Sequence, residues 1–273
     1  MKYLCARISL NLERNMKKAL LVISFGTSYP ETMEKNIVAC EQTLADAHPD
    51  RDAFRAFTSS MIIKKLARRD NVQINNPEQA LQALLDAGYE DVLVQSLHII
   101  NGDEYEKIAR EIKSFQGKFA RLNIGLPLLS SYDDYQDLIA ALKHQSPKLA
   151  EDERLVLMGH GATHHAFAAY ACLDHMLMDQ KLPMVVGAVE SYPEIETVIE
   201  RLHKEQVRKV YLMPLMLVAG DHATNDMASD EEDSWKTVIT QAGIEAEPIV
   251  QGLGENPMIR NMFAEHLAQA LAE

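Results

Sequence analysis

Residues 156–165, reading Val-Leu-Met-Gly-His-Gly-Ala-Thr-His-His, limit the possible folds of this chain more than any other stretch. The apolar run stops abruptly in a Gly-His-Gly turn and passes into small residues. A buried strand that ends in glycines presents its turn to the mouth of a parallel sheet, where α/β proteins bind ligands. The residue so presented is His160. Residues 185–192 and 210–222 repeat the pattern, each an apolar strand delivering one candidate metal ligand or base at its carboxyl end, Glu190 and His222.

The remaining chain supplies the other layers. Residues 18–24 form an apolar run without alternation, the pattern of a parallel strand covered on both faces, and a helix is expected over 31–47. Further strands are expected at 54–58, 91–98 and 122–127, with helices at 61–69, 78–87 and from 104 to about 115. Ser59 and Ser60 suit a helix start, and Gly88 suits a helix stop. After a helix at 132–145 the series recurs: strands at 155–158, 184–189, 210–217 and 246–250, helices at 164–180, 193–205, 234–242 and 257–271. Strands alternating with helices over such a length imply parallel βαβ units.

The two halves also align residue by residue. Ser24-Phe25-Gly26-Thr27 lies over Gly159-His160-Gly161-Ala162, and residues 95–104 lie over 213–222, which sets Glu104 opposite His222. The expected architecture is therefore α/β with two similar lobes. Each is a parallel sheet of about four strands flanked by helices, and a cleft runs between them. Residues 1–15 are read as a disordered extension, 16–130 as an N-terminal lobe, and 131–273 as a C-terminal lobe carrying the metal site.

Composition excludes several partner classes. A formal net charge of −13 disfavours nucleic acid, because the phosphate backbone rewards basic surfaces. No apolar stretch is long enough for a spanning helix, so no membrane partner is expected. Residues 1–15 carry Arg7, Glu13 and Arg14 and lack the apolar core of a secretory signal, and Met16 is read as a natural start. Cys5, Cys40 and Cys172 show no CxxC spacing, which fits a reducing cytoplasm and argues against a structural zinc site.

His160, Glu190 and His222 are too far apart in sequence to share a helix or turn. They meet only if three parallel strands of one sheet end on the same edge. Two imidazoles and a carboxylate suit a divalent first-row ion such as Co²⁺, Fe²⁺, Ni²⁺ or Zn²⁺. Donors that can be protonated release a metal more readily than thiolates, and the same imidazoles accept protons near neutral pH.

Other residues are open to two readings. His164 and His165 line the cleft or begin a helix, His175 sits on a helix face, and His98 packs in its strand. Residues 213–216, rich in Met, read as core. Residues 229–233 read as a solvated loop. Lys64, Lys65, Arg68 and Arg69 form a basic cluster on a helix, either a solvated face or a meeting point for substrate carboxylates.

At these motifs the chain resembles the anaerobic-type sirohydrochlorin cobalt chelatases, class II chelatases of the ferrochelatase-like superfamily. The resemblance runs from about Met16 to near the C-terminus. It is carried by residues 24–28 (Ser-Phe-Gly-Thr-Ser), 96–106, 158–162 (Met-Gly-His-Gly-Ala), 187–193 (Gly-Ala-Val-Glu-Ser-Tyr-Pro) and 213–222. It implies a bilobal fold around a tetrapyrrole cleft and insertion of Co²⁺ into sirohydrochlorin on the route to cobalamin, a lyase reaction in the cytoplasm.

The family's metal-binding His, Glu and His fall on His160, Glu190 and His222. Its cleft acid falls on Glu104, so His160, Glu104 and His222 are the expected catalytic residues. No cofactor is expected beyond the substrate metal Co²⁺, with Fe²⁺ or Ni²⁺ as alternatives, and no P-loop or GxGxxG is present. A homo-oligomer is compatible with the sequence. The alternative function is a non-catalytic metal- or tetrapyrrole-binding protein, since two α/β lobes around a cleft also describe binding proteins.

Overall fold

The computed structural model describes residues 16–272; the extension expected to be disordered, residues 1–15, lies outside them. Eight parallel strands form two four-stranded sheets, as the alternation predicts. The first half contains β1 (Lys18–Ser24), α1 (Ala39–Ala47), β2 (Asp52–Phe57), α2 (Ser60–Asp70), α3 (Pro77–Asp86), β3 (Asp91–Ser96), α4 (Asp103–Phe115) and β4 (Arg121–Gly125). After α5 (Tyr132–Gln145) come β5 (Glu153–Gly161), α6 (Ala168–Asp179), β6 (Met184–Glu190), α7 (Ile195–Lys204) and β7 (Lys209–Pro214). The chain finishes with α8 (Trp235–Gln241), β8 (Glu245–Pro248) and α9 (Pro257–Ala272).

The sheets have the same strand order, β2-β1-β3-β4 and β6-β5-β7-β8. Equivalent hydrogen bonds mark the repeat atom by atom. Leu97 N–H donates to the Ile23 carbonyl at 2.8 Å, and Leu215 N–H donates to the Met158 carbonyl at 2.8 Å. Glu90 N–H to Lys17 O and Arg208 N–H to Asp152 O form a second such pair. Gly26 and Gly161, matched in sequence, both have positive φ, +94° and +86°.

Burial explains why β1 and β5 show no polar alternation. Leu20 and Val22 enter a core shared with Leu155 and Leu157 of the second sheet. Ala19, Leu21 and Ile23 face the outer helices, as do Val156 and Met158 in the other half. Successive residues point to opposite faces, and both faces are covered.

The shared core is closed by α9, which packs on β3, β4 and α1 of the first half. Polar contacts fix it there. Asn123 donates to the Ala270 carbonyl at 2.6 Å, and His266, 4 % exposed, lies 2.8 Å from an Asp134 carboxylate oxygen.

Local departures from sequence expectation bear on the site. The strands expected to reach His98 and Leu217 stop at Ser96 and Pro214, where the chain leaves the ladder over the sheet edge. The helix expected at 31–47 is divided into a turn (Pro30–Thr32), a π-helical stretch (Met33–Val38) and α1. Within the π-helical stretch, fully buried Asn36 donates to the Thr32 carbonyl, and Gly252 and Gly254 approach it so closely that neither has room for a side chain. A second π-helical turn, Ala223–Met227, directly follows His222.

Candidate metal centre

The second sheet sets β5 between β6 and β7, so His160, Glu190 and His222 come from three neighbouring strands at their carboxyl edge. His160 is the penultimate residue of β5, and Glu190 is the last of β6. In register, Gly161 pairs with Glu190. A Cβ at Gly161 would lie 1.6 Å from the Glu190 carbonyl oxygen, so the tight approach of the two strand ends and the positive φ both require glycine. His222 lies beyond β7, where the loop from Pro214 enters the π-helical turn.

The imidazoles of His160 and His222 meet edge to face, with centroids 4.6 Å apart and planes at 90°. Each ring has its Nδ1 engaged. His160 Nδ1 lies 3.1 Å from the Gly161 carbonyl, and His222 Nδ1 makes a short contact with the Asp226 carboxylate. Both partners are acceptors, so Nδ1 carries the proton and the Nε2 lone pair remains available for a metal. Glu190 is exposed beside Ser191, whose φ of 73° turns the chain away. No group of three His, Cys, Asp or Glu side chains among the described residues is assembled at metal-holding distance. The two histidines are therefore brought together, while the Glu190 carboxylate stands apart at the same sheet edge.

On the other half, Glu104 occupies the first turn of α4, where a helix N-terminus favours an acid. Its Oε2 is buried without a hydrogen-bond partner among the described residues. His98 shares this condition at Nε2, while its Nδ1 lies 2.9 Å from Ser96 Oγ. Burial pushes His98 down to about 4, and the Glu104 charge opposes that shift. The sequence suggests that His98 packs within its strand. The structure instead sets it in the loop after β3, near the acid.

Two polar contacts join the halves beside these groups. His164 Nε2 lies 3.2 Å from Glu106 Oε1 of α4, while its Nδ1 accepts from Ala166 N–H at 3.2 Å. Both sequence readings for His164 hold: its side chain caps the 3-10 turn His165–Phe167 while its Nε2 faces Glu106 of the other half. His165 stacks on it at 3.9 Å between centroids. The Tyr29 hydroxyl donates to Asp221 Oδ1 at 3.0 Å, and that hydrogen bond, with burial, raises the phenol above its ordinary value.

Of the remaining expectations, His175 lies exposed on α6, Met213 is buried in the shared core, and Asp230 of the acidic loop pairs with Lys236 at 2.7 Å. The partners Asp226 and Glu106 were not singled out from sequence. Only Asp226 left a signal, standing four residues after His222 in a segment able to turn helically.

No helix among the described residues is long and apolar enough to cross a membrane. Among solved structures, SirB from Bacillus subtilis superposes with a TM-score of 0.61 at 16% identity, covering 94% of this chain and 96% of SirB. DR2241 from Deinococcus radiodurans, described as a multi-domain protein similar to chelatases, gives 0.59 at 15% identity, covering 95% of this chain and 55% of its own. At these identities the likeness concerns the fold.

Sequence relatives are nearer. A sirohydrochlorin cobaltochelatase of Salmonella typhimurium is 64% identical over 256 residues, 94% of this chain and 97% of that protein. The sirohydrochlorin cobaltochelatase CbiKC of Nitratidesulfovibrio vulgaris is 29% identical, covering 94% and 91%. Residues 18–272 match the family described as Cobalt chelatase (CbiK). With two four-stranded lobes and a histidine pair at the edge between them, the chain belongs to the cobalt chelatase (CbiK) family.

Proposed function

We propose that this protein is a sirohydrochlorin cobaltochelatase, exchanging two pyrrole N–H protons of sirohydrochlorin for one Co²⁺ in cobalamin biosynthesis. The observation that carries the reading to particular residues is the edge-to-face pair His160/His222, with both Nδ1 atoms engaged and neither Nε2 bonded among the described residues. The extensive likeness to the Salmonella typhimurium enzyme supports the substrate and the metal.

In this reading His160 and His222 receive the substrate metal and take up protons as it leaves them. Glu190 completes the coordination when the ion draws it in. Glu104, with an unpartnered buried oxygen, positions the macrocycle or removes a pyrrole proton from the other side. His98 stays neutral beside it, because burial depresses its basicity. The same nitrogen and oxygen donors accept Fe²⁺ and Ni²⁺, so preference for Co²⁺ rests on supply and on the macrocycle as well as on the ligands. The division into lobes 16–130 and 131–273 is supported by the repeated strand order, with α9 returning across it. A cytoplasmic location is supported by Cys40 and Cys172, both free thiols.

The test is an anaerobic absorbance assay with sirohydrochlorin and Co²⁺, then Fe²⁺ and Ni²⁺, beside an uncatalysed control. Catalytic conversion that is lost in His222→Ala is the expected result. Stoichiometric binding without turnover would replace the enzyme with a binding protein.

A further inference from the structure

The chain carries an excess of acidic residues, yet the exposed face of α2 holds Lys64, Lys65, Arg68 and Arg69 within two turns. Arg69 is engaged, with Asp70 at 2.6 Å and the Ser28 carbonyl at 2.7 Å. Lys64, Lys65 and Arg68 have no carboxylate partner among the described residues, although acids outnumber bases in this protein. Three cations with no carboxylate partner among the described residues, on one face of a net −13 molecule, leave room for an anionic occupant from outside.

The surroundings of α2 define that occupant's shape. Thr58 and Ser59 N–H donate to the Ser24 and Phe25 carbonyls at 2.9 and 3.2 Å, which ties the start of α2 to the end of β1. Phe25 and Met61 stand there 47 % and 68 % exposed. Large apolar side chains left in water beside a rim of cations suit a ligand with a flat apolar body and a charged periphery.

The patch is also continuous with the metal centre. Lys65 Nζ lies 5.8 Å from the Tyr29 ring, and the Tyr29 hydroxyl bonds Asp221, the neighbour of His222.

We propose that Phe25 and Met61 form an apolar shelf under one edge of a tetrapyrrole polycarboxylate, and that Lys64, Lys65 and Arg68 receive its peripheral carboxylates. This subsite rests on the chelatase reading and names residues that read the substrate rather than the metal. Its cations are exposed on α2, so they act through affinity and encounter, in a salt-dependent manner.

The test uses metal-free sirohydrochlorin titrated into the full protein and into the Lys64→Gln/Lys65→Gln/Arg68→Gln triple variant, followed by initial rates with Co²⁺. Three exposed charge contacts of ordinary strength together correspond to roughly a tenfold change in Kd. The expected result is that rise in Kd and in KM, with a flatter dependence on salt and an unchanged melting temperature. Lys64→Arg/Lys65→Arg should retain the affinity of the unsubstituted protein.

Equal Kd and equal salt dependence in the triple variant, with normal turnover in the unsubstituted protein, would reduce α2 to a solvated face and overturn the subsite alone. Absence of both binding and turnover in the unsubstituted protein would overturn the chelatase reading and the subsite with it.

Discussion

His160, next to last in the inner strand β5, and His222, in the loop beyond the adjacent strand β7, lie edge to face. Asp226 then holds His222 from behind, so the ring presents Nε2 and not Nδ1. Loss of an outer carboxylate of this kind costs about 10–100-fold in metal affinity or activity. Asp226→Ala should fall in that range, and Asp226→Asn, which keeps an acceptor, should lose less. His160→Ala and His222→Ala should lose more than either while melting normally. Co²⁺ titration and single-turnover rates check the order; an Asp226→Ala enzyme with native Co²⁺ affinity and rate would remove the carboxylate from this role.

Glu104 stands on the opposite lobe and touches neither histidine directly in the described contacts. Glu104→Ala should therefore lower turnover while leaving Co²⁺ affinity in place. An unchanged rate would make Glu104 a structural acid, and the comparison needs only steady-state kinetics beside a metal titration.

Gly161 couples the two strand ends at the site. Gly161→Ala sets a methyl group against the Glu190 carbonyl and imposes positive φ on a residue with a Cβ. A destabilisation of at least about 2 kcal/mol is expected, together with loss of chelation. Denaturant unfolding measures the first; a variant as stable as the parent would show that the strands can separate without cost.

Asp91 begins β3, at the end of the sheet remote from the site. It is 2 % exposed and accepts from Arg51 at 3.0 and 3.1 Å and from Arg121 at 2.7 Å. Removing one partner of a buried pair typically costs about 3–5 kcal/mol. Asp91→Ala should show that loss with chelation per folded molecule unchanged, which separates fold from chemistry.

Two groups contribute to the acid limb of stability in different windows. His98 has its folded value lowered to about 4 from an ordinary 6.5, so unfolding takes up a proton as the pH drops between them. Stability should decline from about pH 6.5 toward 4 and flatten in this window in His98→Asn. Burial raises Asp134, but His266 and the Ser130 and Ser131 donors hold it below its ordinary 3.8 overall. Its contribution is present above 3.8 and is lost only as the pH falls through the lower folded value. A stability profile unaltered by His98→Asn would assign the first window to other groups.

The buried strands were legible because both faces of β1 and β5 are covered, which leaves continuous apolar runs in the sequence. Boundaries were less so: Ser96 and Pro214 end their strands where the chain crosses the sheet edge, a choice made by contacts to Ile23 and Met158. The His160 turn announced itself through its glycines. Glu106 opposite His164, and Tyr29 opposite Asp221, pair residues distant in sequence, and no local pattern encodes them. The close approach of Gly252 and Gly254 to Asn36 likewise joins residues far apart along the chain.

The placement of α9 carries a consequence for biosynthesis. Because Ile259, Phe263 and Leu267 enter the same core as Leu20 and Leu93, the first sheet waits for a segment made after every strand of both sheets. A nascent chain that has completed β1 to β4 still shows water an unfinished apolar face, and its closure is a late, long-range event. Release of a truncated product ending before Pro257 would hand the cell's chaperones two sheets and an open seam.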